Sequence, residues 1–136
     1  MHIVLDTNVL LTCFSSRSKT HLIWQSLRQG KFSLCVTTDI LAEYEEIIAE
    51  HTSPELAEAV LDAILHLPNR RLITRYFKWN LIVADPDDNK FVDCAVAAGA
   101  DYIVSEDRHF QVLGKIPFPT VRLLREKDFL EILAQL

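Results

Sequence analysis

Apolar and polar positions along this chain follow two alternating rhythms. His2-Ile3-Val4-Leu5 is a short apolar run of the kind a strand covered on both faces shows, and Phe32 to Thr37 is a second. Between them, Leu22, Ile23 and Leu27 fall at helical spacing over Thr20 to Gln29, with Gly30 as a stop. Asp39 opens a further helix that lines up Ile40, Leu41, Tyr44, Ile47 and Ile48 on one face. Ser53-Pro54-Glu55 joins a capping side chain, a first-turn proline and an acid near the helix start. The stripe that follows is Leu56, Val60, Ala63, Ile64 and Leu67, closed by Pro68. Leu72-Ile73 fits a short strand, and the polar loop Asp85 to Asn89 leads into a helix through Ala98 that Gly99 ends. Tyr102 to Ser105 and Thr120 to Leu123 read as strands, and Glu126 to Leu136 as a terminal helix.

Strands alternating with helices predict one domain over residues 1–136, an α/β/α sandwich around a central, mainly parallel sheet. Composition agrees: 136 residues, 49% hydrophobic and 24% charged, are those of an ordinary globular domain. No apolar run approaches the ~18 residues that a membrane span requires. Met1 leads straight into the first strand without the features of a signal peptide, so a cytoplasmic protein is expected. Cys13, Cys35 and Cys94 are odd in number and set among apolar neighbours, which favours buried free thiols. The five histidines form no HExxH or other close pair, so zinc chemistry has little support. A net charge of −5 argues against adhesion to nucleic acid through a broad basic surface. It leaves room for an acidic pocket neutralised by cations.

In parallel sheets, ligands bind beyond the carboxyl ends of the strands, and that rule selects residues. Asp6 ends the first strand, and Asp107 follows the strand that stops at Ser105. Asp88 opens the helix feeding that strand, and Glu43 lies one turn into the helix after the second strand. An ordinary capping role would also account for Asp6, Asp88 or Asp107. Glu43 competes with Glu45 at the other border of the apolar stripe, while Glu46 and Glu50 point further out. Asp88 shares the Phe91 and Ala95 face, whereas helical phase sends Asp93 to the opposite side as a solvated acid. Asp85 and Asp87 sit in the loop, where geometry is open. Carboxylates drawn together repel unless a cation sits among them. Mg²⁺ or Mn²⁺ suits such oxygen ligands and supplies an acidified water able to attack a phosphodiester.

The segment Ile3-Val-Leu-Asp6-Thr7-Asn8-Val9-Leu10 resembles the opening strand of the PIN-domain family, with its Asp-x-Asn signature. Leu41-Ala-Glu43-Tyr-Glu-Glu-Ile-Ile48 is similar to the segment of its second acid, and Asp85-Pro-Asp-Asp88-Asn-Lys-Phe-Val-Asp-Cys-Ala95 to that of its third. Tyr102-Ile-Val-Ser105-Glu-Asp107-Arg-His-Phe110 matches the hydroxyl-x-Asp element of the fourth. The four appear in order between Met1 and Leu124, and the likeness is to toxin components of bacterial toxin–antitoxin pairs. Ser105 stands where threonine is commoner, and a segment one residue long leaves Asn89 as a rival for Asp88. The resemblance implies an Mg²⁺- or Mn²⁺-dependent endoribonuclease acting on single-stranded RNA, often a homodimer with an antitoxin partner. It implies Asp6, Glu43, Asp88 and Asp107 as catalytic metal ligands, with Asn8 and Ser105 orienting ligands or waters. Arg17, Lys19 and Arg108, in loops after strand ends, are candidates for phosphate contacts, or else ordinary surface cations. A phosphatase of the Asp-x-Asp type would need an acid where Asn8 stands, and nothing places a matching acceptor Asp on a central strand with a late lysine, as a response-regulator-like phosphoacceptor requires. A non-catalytic module that binds RNA or protein and keeps the fold is the main alternative.

Overall fold

A computed structural model describes Met1–Leu136. Five strands form one sheet: β1 (His2–Leu5), β2 (Ser33–Val36), β3 (Arg70–Leu72), β4 (Tyr102–Val104) and β5 (Leu123–Leu124). All neighbours are parallel, in the order β3-β2-β1-β4-β5. The helices are α1 (Thr7–Cys13), α2 (His21–Arg28), α3 (Thr38–His51), α4 (Pro54–Leu65), α5 (Asn89–Ala98) and α6 (Glu126–Ala134). Two stretches of 3₁₀ helix, Pro86–Asp88 and Arg108–Lys115, flank α5 and β4.

The short apolar runs become the strands because they are covered on both sides: Ile3, Val4, Leu5, Leu34, Cys35, Val36, Ile103 and Val104 are all fully buried. The connections β1–β2 and β2–β3 step one way across the sheet, and β3–β4 steps back the other way. Right-handed crossovers therefore place α1 to α4 on one face and α5 on the opposite face. β1 and β4 are neighbours whose chains depart in opposite directions, which opens a crevice beyond their carboxyl ends.

The local signals act as expected in most places. Ser53 accepts a hydrogen bond from the Leu56 amide at 3.1 Å and caps α4 behind Pro54. Gly99, at φ +61°, ends α5 in the left-handed conformation that an L side chain rarely adopts. The apolar face of α4 is rotated from the expected stripe: Ala57, Val60, Leu61 and Ile64 are buried, while Leu56 is exposed. The last strand is two residues long and begins at Leu123, later than the run Thr120 to Leu123 suggested. Burial pushes the Cys13 and Cys94 thiols up to about 12 and raises Cys35 as well, leaving three inert free thiols. No helix is long and apolar enough to cross a membrane.

Candidate metal centre

Asp6 follows β1 directly, and its amide donates to the Val104 carbonyl at 3.0 Å, so it sits beside Ser105 at the crevice. It occupies the N-cap position of α1, yet its side chain makes no capping hydrogen bond. Instead the Ser105 hydroxyl donates to Asp6 Oδ2 at 2.7 Å and accepts from the Asp107 amide at 2.9 Å. One hydroxyl thus ties the end of β1 to the turn after β4. Burial raises the pKa of Asp6; the Ser105 hydrogen bond opposes this, and the charges of Asp107 and Glu43 add to it. Capping alone does not explain an acid held this way.

Glu43 reaches the site because Tyr44, fully buried, donates its hydroxyl to the Leu5 carbonyl at 2.6 Å and pins α3 against the end of β1. The Thr7 hydroxyl donates to Glu43 Oε2, and the Lys90 ammonium lies 2.8 Å from Oε1. Glu45, Glu46 and Glu50 on the same helix are exposed. Lys90 also lies 3.0 Å from Asp87. Burial works to lower the Lys90 pKa, but the hydrogen bonds and charges of Glu43 and Asp87 outweigh it, and the value is raised.

A tighter cluster stands beside this pair. One ligand atom from each of Asp85, Asp88, Asp107 and His109 lies within 4.8 Å of all the others. His109 Nδ1 is 3.3 Å from Asp107 Oδ1 and 3.7 Å from Asp88 Oδ2. Asp107 caps the 3₁₀ segment by accepting from the His109 amide at 2.9 Å, so it serves the turn and the cluster together. Burial, then the charges of Asp85, Asp107 and Asp6, push the Asp88 carboxyl up to about 7. Asp88 Oδ2 and His109 Nδ1 are both buried without a hydrogen-bond partner. Buried polar atoms without partners are uncommon, and a carboxylate and an imidazole facing each other among further acids match the donor set of a divalent cation.

The structure thus brings Asp88 and Asp107 into one ligand-sized group, with Asp6 and then Glu43 on its flank. Asp85, His109, Lys90 and Thr7 were not selected from the sequence. His109 follows Asp107 by two residues and Lys90 follows Asp88 by two, signals that reading histidines only as close pairs and acids only as ligands passes over. Asn8 is exposed and its side chain makes no hydrogen bond, unlike Ser105. Arg17, Lys19 and Arg108 are exposed and form no ion pair. Asn89, the rival to Asp88, turns away from the cluster: its carboxamide accepts from the Ile82 amide at 2.8 Å and donates to the Ile82 carbonyl at 2.9 Å.

Asp93 is a correction. Helical phase put it among solvated acids, but it is 2% exposed. The segment after β3 lies over that side of α5: Asp93 accepts from the Trp79 amide at 3.0 Å, and the Arg75 guanidinium is 3.5 Å away. Phase fixes which way a side chain points and says nothing of what covers it. Asp93→Ala leaves the Trp79 amide without its acceptor and the Arg75 guanidinium with Asp39 alone, 3.1 Å away, and should lower unfolding stability by about 2 kcal/mol in a denaturant titration. An unchanged midpoint would mean that Asp93 does not hold this segment down.

The family model for the PIN domain matches residues 2–109, and the chain belongs to that family. A comparison with curated proteins finds no significant match. Among solved structures, the chain is similar to VapBC2 from Rickettsia felis bound to a DNA fragment from their promoter. The TM-score is 0.65 at 15% identity, over 92% of this chain and 98% of the other, a likeness of fold.

Proposed function

We propose that this protein is an endoribonuclease that hydrolyses single-stranded RNA with Mg²⁺ or Mn²⁺, as the toxin of a toxin–antitoxin pair. The observation that carries the metal-dependent chemistry is the pair of partnerless buried atoms, Asp88 Oδ2 and His109 Nδ1, inside a ligand-sized cluster at the strand-end crevice. Asp88 and Asp107 would hold the ion together with Asp85 or His109, and Asp6 would add its charge from the β1 side. A divalent ion supplies an acidified water and neutralises charge on the phosphate. Ser105 fixes Asp6, and Thr7 and Lys90 fix Glu43, so the acids facing the phosphate are oriented before substrate arrives. Arg108, next to Asp107, is the cation placed to take a flanking phosphate; Arg17 and Lys19, beyond α1, are candidates at a greater remove.

The toxin role is supported by the likeness of fold to VapBC2. An antitoxin partner and a homodimer are part of the same proposal. Incubation of the protein with labelled single-stranded RNA should give internal cleavage with Mg²⁺ or Mn²⁺ and none with excess chelator. RNA that stays intact in the presence of either metal would leave the non-catalytic binding module as the reading.

A further inference from the structure

From Ala63 to Ala84 the chain carries Arg70, Arg71, Arg75 and Lys78 and no acid, against 19 acids and 14 cations overall. Arg70 and Arg71 turn back onto the Leu67 and Ala98 carbonyls. Arg75 is paired with Asp39 at 3.1 Å and Asp93 at 3.5 Å, which leaves Lys78 as the cation of this stretch whose side chain has no ion pair or hydrogen bond, set between rings in the run Arg75-Tyr76-Phe77-Lys78-Trp79. Tyr76 is 93% exposed, Phe77 61% and Phe118 77%. Phe77, Trp79 and Phe118 form a chain of edge-on contacts, with centroids 4.6 and 5.8 Å apart. These rings do not hang on a loose loop, because Asp93 holds the Trp79 amide and Asn89 holds Ile82 at both polar groups.

Two hollows border this run and meet at Asp93. One, of about 300 Å³, is lined mainly by Thr74, Tyr76, Phe77, Trp79, Val96 and Ala97. The other, of about 330 Å³, is lined by Arg75, Lys78 and Lys90 against Asp39, Asp87 and Asp93, with Pro86 in its wall. Lys90 is the residue that holds Glu43, so the polar cleft leads to the carboxylate centre. Exposed aromatic faces beside an unpaired cation such as Lys78 are a means by which proteins hold unpaired nucleic acid. Protein interfaces instead tend to deplete lysine at their apolar centre.

We infer that the Arg75–Trp79 run is a second binding site for single-stranded RNA, with a nucleobase in the aromatic hollow and its phosphate beside Lys78. The inference rests on the proposed RNA substrate and extends it to a surface outside the acids. The test uses the full chain, chelator to prevent cleavage, and a short fluorescein-labelled oligouridylate read by anisotropy. Tyr76→Ala with Phe77→Ala should weaken binding about tenfold, in the range expected for lost base stacking. Lys78→Gln should lower the slope of log affinity against log salt by about 0.7, one phosphate contact on a single strand. Tyr76 is almost wholly exposed and Phe77 packs edge-on against no ring but Trp79, so the melting temperature should move little.

Equal binding by the double variant overturns the inference, as does failure of the wild type to bind. Loss of a dimer in the double variant by sedimentation, with RNA affinity unchanged, also overturns it and gives the face to a second copy of this chain. The cleavage assay is separate. Wild type that binds through the rings but does not cut with metal would remove the nuclease reading alone.

Discussion

Asp6→Asn should fold as the wild type does and cleave RNA on the order of a hundred- to a thousandfold more slowly, the scale of losing one group aimed at developing charge. The carboxamide keeps an oxygen that can accept from the Ser105 hydroxyl, so the link to Asp107 survives. What goes is the negative charge beside Asp88 and Asp107 that a cation would need. Cleavage rates at saturating Mn²⁺, with circular dichroism to establish the fold, measure this. Rates equal to wild type would identify a contaminating nuclease and remove the role given to Asp6.

Saturating divalent metal should raise the melting temperature by on the order of 10 °C at neutral pH. A ligand that binds only the folded state contributes ~2.7 kcal/mol at a hundredfold excess over its dissociation constant. In a domain of this size each kcal/mol moves the midpoint by roughly 4 °C. Mn²⁺ should act at lower concentration than Mg²⁺, which demands stricter geometry and gives up its water reluctantly. The metal-free protein carries the complementary pH dependence. Asp88 is raised from 3.8 to about 7, so the folded state holds that proton where the unfolded chain has released it. Its contribution to stability is present below about pH 4, falls as pH rises, and is lost above about 7. Binding at pH 6 should therefore release protons, seen as a binding heat that varies with the ionisation enthalpy of the buffer. A melting curve indifferent to metal in the wild type would mean that the free protein lacks a cation site of useful affinity.

The fold was legible where burial leaves a simple mark. A strand covered on both faces is a short apolar run, as at His2–Leu5 and Tyr102–Val104, and Asp6 and Asp107 follow because ligand sites lie at strand ends. The 3₁₀ stretch Arg108–Lys115 left no period to read, and with it His109 went unselected. Asp85, like Lys90, acts through distances across the chain rather than through a motif of its own. Asp93 shows the other limit. A helix packed on the sheet and covered again by an irregular segment buries a side that periodicity assigns to water. That Glu43 rather than Glu45 faces the crevice follows from Tyr44, whose hydrogen bond to Leu5 no helical wheel displays.

The Ser105 hydroxyl has a consequence for the two oxygens of Asp6. Having accepted the Asp107 amide, it has a single proton to give, and it gives it to Oδ2. That oxygen is thereby marked as an acceptor, and Oδ1 is the one on which a proton, or a cation if one binds, would fall. The carboxylate is chemically symmetric in solution but not in the fold. Threonine at this position would preserve the distinction. Alanine would erase it, free the carboxylate to rotate, and make the two oxygens interchangeable again.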